Sequence, residues 1–253
     1  MNIAETLSGR RLWHRYEIKY LISESQAAAI AQFVRPYMRL DPYCKLQQPK
    51  GAYPIVSLYL DSDNLQLCRE SMTGKKNRFK LRIRSYTDRS DYPRFFEIKR
   101  RASTVIIKNR ACVMPENVAS LISGRPRLSQ LDGDETLKQF MFYVNHINGR
   151  PILRTRYMRQ AFESIVDDSV RVTFDRNLSY NLTSTATLAL DGQGWQPMLL
   201  NGVILEIKFT GRYPPWLGRM VKYFNLQQQS ISKYATSVKK SCLLGFCASK
   251  LPE

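Results

Sequence analysis

Three short stretches of this 253-residue chain place a carboxylate and an ammonium two residues apart: Glu17 and Lys19 in RYEIKYLI, Glu97 and Lys99 in RFFEIKRR, and Glu206 and Lys208 in GVILEIKF. A fourth stretch, NRFKLRIRSY, carries Arg78, Lys80, Arg82 and Arg84 at alternate positions, with Phe79, Leu81 and Ile83 between them. Such alternation marks β-strands, in which residues i and i+2 point the same way, so each strand has one apolar and one charged face. The charged faces hold the side chains that bind phosphorylated anions. Arg grips oxygens with a bidentate fork, Lys acts as a point charge, and a carboxylate can hold a hard divalent cation.

A solvated outer face would explain one such strand, with cross-strand ion pairs contributing ~0.2–1 kcal/mol. It does not explain five or six strands of the same bias, and Arg171 in VRVTFD and Arg159 in YMRQAF extend the series. Cations ~7 Å apart at an effective dielectric of ~20 repel by roughly 2 kcal/mol per neighbouring pair, which water or a bound anion must offset. The bulk charge agrees: the net charge is +18, and residues 75–110 hold thirteen Lys and Arg against three Asp and Glu. Such a protein expects polyanionic partners.

Nucleic acid is the wrong polyanion, because the basic residues follow strand period and no helix-turn-helix, zinc-finger or RRM pattern is present. The GKK at 74–76 lacks the spaced glycines of a P-loop. Five scattered cysteines and two histidines show no zinc spacing and fit a reduced, cytoplasmic compartment. The N-terminal residues have no apolar h-region, and no run approaches the ~18 apolar residues of a membrane helix. A transmembrane barrel would also alternate, but the aromatic girdles it needs are missing. No Ser, Cys or His triad is evident.

The elements that must position these side chains form one domain over 1–253, with a core of about 12–240. Strands are expected at 15–22, 53–61, 78–86, 94–101, 104–113, 152–164, 170–178 and 202–209, enough to close a barrel. Helices are expected at 24–38, opened by a Ser23/Gln26 capping box, and at 115–123, 134–147 and 214–226. Their single apolar stripes must lie against something. The economical α+β arrangement is an antiparallel β-barrel of about eight strands, helices packed on its apolar outside and charged faces turned into a basic tunnel.

RYEIKYLI, YPIVSLYLDSDN, KLRIRSY, FFEIKRR, LRTRYMRQAF, VRVTFDRNL, VILEIKF and ISKYATSV, in this order from about Arg15 to Ser237, resemble the VTC (vacuolar transporter chaperone) domain. This is the polyphosphate polymerase branch of the triphosphate tunnel metalloenzyme superfamily, CYTH-like proteins whose barrel encloses a basic tunnel. The resemblance implies phosphate-binding, catalytic roles for Lys19, Arg82, Arg84, Lys99, Arg159, Arg171 and Lys233. It implies Glu206 as the carboxylate for Mn²⁺ or Mg²⁺, with Glu17 and Glu97 as further metal candidates. Lys80, Lys208 and Arg156 are weaker substrate-binding candidates. Arg156 has opposite parity to Arg159, so only one of the two faces the lumen, and Arg159 is the choice. The implied activity is transfer of the γ-phosphate of ATP to a growing polyphosphate chain, beside a separate membrane protein at the inner face of the membrane. Tunnel phosphohydrolases open with E-x-E-x-K, whereas this chain has Arg15 in place of the first glutamate, which favours transfer over activation of water. A tripolyphosphatase or nucleoside triphosphatase on the same barrel, and a non-catalytic polyphosphate-binding module, remain the alternatives.

Overall fold

The computed structural model describes residues 15–46, 51–102, 105–123, 133–166 and 169–243. The long strands are β1 (Arg15–Ile22), β3 (Tyr53–Asp61), β4 (Arg78–Ser85), β5 (Arg94–Ala102), β6 (Val105–Val113), β7 (Arg150–Ser164), β8 (Val170–Leu182) and β10 (Val203–Thr210). Two short strands, β2 (Met38–Leu40) and β9 (Gln196–Pro197), pair with β7 and β8. All pairings are antiparallel, in the order β1-β10-β8-β7-β3-β4-β5-β6. The expected antiparallel α+β architecture is present. The ring, however, is not closed by hydrogen bonds: β1 and β6 stand at opposite ends of the sheet. Part of the free β1 edge is covered instead by Gln228 and Gln229, where Gln229 N donates to Lys19 O at 2.8 Å.

The apolar face of each strand turns outward under a helix. Leu81 and Ile83 of β4 and Phe96 and Ile98 of β5 pack with Val118 and Leu121 of α4 (Pro115–Ile122) and Phe140 and Met141 of α5 (Glu135–His146). Tyr20, Phe174, Leu205 and Ile207 pack with Ala27 and Ile30 of α1 (Glu24–Phe33) and Leu217 and Met220 of α6 (Pro215–Tyr223). A fully buried leucine or phenylalanine contributes about 1.5–3 kcal/mol, so these two clusters fix the direction in which the sheet curls. The charged faces are left inside.

The capping box at α1 is present, Ser23 Oγ accepting from Gln26 N and Gln26 Oε1 accepting from Ser23 N, both at 3.1 Å. The helix stops short of the predicted 38, as Pro36 disfavours helical backbone at Arg35. Three helices had no forecast: α2 (Pro42–Leu46), α3 (Gln66–Met72) and α7 (Lys233–Leu243). Asp61 at the end of β3 joins two of them to the sheet. Its carboxylate accepts from Leu67 N and Cys68 N at 2.9 Å, capping α3, and from Tyr234 Oη of α7 at 2.7 Å. Cys44 and Cys68 are free and buried, Cys112 is free and exposed, and Cys242 is disulfide-bonded. Among the described residues no helix is long and apolar enough to cross a membrane.

Candidate active site

Ladder register decides which charges meet on the concave face. Arg101 stands beside Arg78, Lys99 beside Lys80 and Glu97 beside Arg82. Strand β6 continues two rows, with Lys108 beside Lys99 and Arg110 beside Glu97. Like charges directly opposite destabilise a sheet, so these rows need counter-charge. Glu97 supplies it. Fully buried, its carboxylate accepts from Arg82 Nε at 2.6 Å, Arg110 Nε at 2.9 Å and Lys108 Nζ at 2.7 Å, with Arg84 Nη1 at 3.8 Å. Burial alone would raise its pKa, but Arg82, Arg84 and Lys108 hold it well below the carboxylate range.

A second carboxylate, Asp175 on β8, does the same for β7 and α7. Arg159 donates Nε to Oδ1 and Nη2 to Oδ2, both at 2.7 Å, and Lys233 Nζ donates to Oδ2 at 2.6 Å. Against the cost of burial, Arg159 and Lys233 bring the Asp175 pKa down to about 2. A bidentate fork of this kind fixes the guanidinium plane.

The third group is a checkerboard on β1 and β10, where Glu17 faces Lys208 and Lys19 faces Glu206 in register. Lys19 Nζ lies 3.2 Å from Glu17 and 3.9 Å from Glu206, so one ammonium serves both carboxylates. Lys208 Nζ donates to Glu206 at 3.0 Å, and Arg159 Nη2 lies 3.6 Å from the same oxygen. Lys99 Nζ donates to Glu17 at 2.9 Å, tying β5 to β1 across the lumen that the backbone leaves open. Despite burial, Lys208, Lys19 and Arg159 keep Glu206 well below its ordinary pKa, while burial pushes Lys208 down to about 8.

Cations from all three groups line one cavity of about 850 Å³, with Tyr59 and Tyr157 in its wall, while Glu97 and Asp175 stand behind that lining. The family model of the VTC domain matches residues 14–242. The chain belongs to the VTC family. Among curated proteins nothing matches. Of solved structures, a Bacillus halodurans protein provisionally named an adenylate cyclase is 14% identical with a TM-score of 0.50, covering 87% of this chain and 94% of that one. A Pyrococcus horikoshii OT3 protein is 11% identical with a TM-score of 0.46, covering 90% and 99%. The first of these shares the fold.

In this VTC domain the cavity brings together Lys19, Lys80, Arg82, Arg84, Lys99 and Arg159, and with them Lys208, Lys233, Glu17 and Glu206. Three expected residues stand elsewhere. Arg156 points outward, stacked 4.5 Å from the Trp195 ring with Nη1 donating to Leu190 O at 2.5 Å, as its parity requires. Arg171 is drawn away from the cavity by Asp41, to which Nη2 donates at 2.5 Å. Glu97 does not line the cavity, and its oxygens accept from Arg82, Arg110 and Lys108. Sequence reasoning missed Asp175, Lys108 and Arg110. All three had a usable signal, since Asp175 shares parity with Arg171, and Lys108 and Arg110 alternate on a strand paired to FFEIKRR.

A divalent cation fits Glu17 and Glu206. They are oxygen donors held ionised, and Lys19, Lys99, Lys208 and Arg159 offset their mutual repulsion. Among the described residues no group of three or more His, Cys, Asp or Glu could hold a metal. The remaining positions would fall to water and phosphate oxygens, as is usual for Mg²⁺.

Proposed function

We propose that this VTC domain is a metal-dependent phosphotransferase that extends polyphosphate with the γ-phosphate of ATP. The observation that carries the reading is the convergence of Arg82, Arg84 and Arg159, each beside a buried carboxylate, on the cavity that also holds Glu17 and Glu206. Phosphoryl transfer asks a protein for in-line placement and for stabilisation of charge spread over the moving group. Glu97 and Asp175 supply the placement by fixing the guanidinium groups before substrate arrives. Lys19, Lys80 and Lys99 add charge along the same wall for the phosphates on either side. The terminal phosphate oxygen of the chain attacks the γ-phosphorus, the bond to the β-phosphate oxygen breaks, and ADP leaves, so no protein nucleophile is needed. A metal held by Glu206 and Glu17 would neutralise charge on the leaving diphosphate.

The test is the length of polyphosphate formed on adding ATP with Mn²⁺ or Mg²⁺ to the purified protein. Growth is expected, and Arg82→Ala should abolish it with the far-UV circular dichroism unchanged. Orthophosphate released from tripolyphosphate without chain growth would replace this reading with hydrolysis. Metal-independent binding without turnover would replace it with a binding module.

A further inference from the structure

Between Glu206 and Glu253 the chain carries eight Lys and Arg and not one acidic residue. Three of the eight, Lys208, Lys233 and Lys239, line the cavity. Arg212, Arg219 and Lys222, on helix α6 and the loop before it, are exposed on the outside instead. One side of α6 packs on the sheet through Leu217 and Met220. Helical spacing sets Pro215, Arg219, Lys222 and Tyr223 on the opposite side, and all four are exposed, Tyr223 by 78%. Before the helix, Tyr213 meets Phe209 at 4.9 Å, and Phe209 stacks at 4.8 Å on Tyr16, which is 46% exposed. Among the described residues Arg212, Arg219 and Lys222 take part in no ion pair. Helix α1 lies beside α6, Gln26 Nε2 donating to Phe224 O at 3.3 Å, but its one carboxylate, Glu24, is held by Arg176 Nε at 2.9 Å.

We propose that this face of α6 docks the domain directly on an anionic bilayer, with Arg212, Arg219 and Lys222 on lipid phosphates and Tyr16 and Tyr223 at headgroup depth. The inference is independent of the phosphotransferase reading. An interface with another protein gathers aromatic and apolar residues at its centre and leaves charge to the rim. Here the order is reversed, since Arg219 and Lys222 sit between the tyrosines. A headgroup layer asks for that reversed order: long cationic side chains that reach phosphate, and aromatic rings with one wet end. The apolar side of α6 already packs on the sheet, so the helix lies on the headgroups without sinking into the acyl chains.

The experiment is cosedimentation of the purified protein with phosphatidylcholine vesicles, with and without phosphatidylserine. Binding is expected only with phosphatidylserine. Arg219→Gln/Lys222→Gln should weaken it about thirtyfold, at roughly fivefold for each basic side chain lost from an anionic surface. Lys45→Gln/Lys76→Gln, which removes the same charge from exposed sites elsewhere, should weaken it less than about twofold. Tripolyphosphate affinity, read by calorimetry, should stay within about twofold in both variants. Equal losses of vesicle binding in the two variants would overturn the proposal, leaving net charge as the cause. A wild type that ignores phosphatidylserine would also overturn it, and binding of polyglutamate through Arg219 and Lys222 would then assign the face to an acidic protein. One outcome needs no variant: if excess tripolyphosphate strips the wild type from the vesicles, the lipid is held by the cavity and the α6 site is refuted.

Discussion

Lys80 gives the cavity a pH dependence whose sign can be worked out. Its pKa is lowered from 10.5 to about 7, first by burial and then by Lys19, Lys99 and Arg78, and its ammonium donates to Ser232 Oγ at 3.1 Å. A polyanion laid along the lysine row supplies the missing counter-charge and returns the pKa towards its ordinary value of ~10.4. Near pH 7 about half of the free protein holds Lys80 neutral, so each binding event takes up about half a proton there. Raising the pH withdraws that proton from the free protein only. Between pH 7 and pH 9 affinity should fall about fiftyfold, or ~2.3 kcal/mol at ~1.36 kcal/mol per factor of ten. Stability of the free protein moves the other way. The unfolded chain holds the Lys80 proton more tightly than the folded one, so this group's contribution rises with pH from about 7 to 10.5. The assay is tripolyphosphate calorimetry at several pH values, in buffers of different ionisation heat, for the wild type and Lys80→Met. Lys108, which burial also pushes down to about 7, is common to both proteins, so the difference between the profiles isolates Lys80. Parallel profiles with equal proton uptake would refute the argument.

Glu97→Gln should destabilise the fold by ~3–5 kcal/mol, read as a fall in melting temperature, because it leaves the cations around it without a counter-charge. Tripolyphosphate should restore part of that loss, and an unchanged melt would sink the assignment. Glu206→Gln should remove metal-dependent turnover yet keep or strengthen tripolyphosphate binding, measured side by side, since one repelling charge is gone. Arg156→Ala should cost only the ~0.5–1 kcal/mol of its stacking on Trp195 and leave turnover within about twofold. Arg159→Ala, which strands Asp175, should abolish turnover.

Strand positions and facing were legible because β4, β5 and β10 alternate charge with β-branched and aromatic residues, which periodicity reports directly. Helix α7 escaped because Tyr234, Ala235 and Val238, which pack on Tyr59 and Leu153, are interleaved with lysines and serines. Helix α3 depends on a cap from Asp61, six residues ahead of the backbone amide it meets at Leu67. Closure of the barrel was overread, because pairing between the first and last strands of a sheet is a long-range event without a local signature.

The three E-x-K pairs show where local reading stops. Glu17, Glu97 and Glu206 have identical neighbours two residues on, yet Glu97 is consumed by cations from β4 and β6 while the other two share lysines on the cavity wall. What separates them is register: cations stand beside Glu97 on both flanking strands, whereas β1 and β10 set each glutamate against a lysine that a neighbouring glutamate also uses. The same distinction orders the cations. Arg82 and Arg159 are already held by carboxylates, so an arriving phosphate gains their charge with little further ordering but must share it. Lys80 donates to a hydroxyl instead, so an anion beside it relieves repulsion outright.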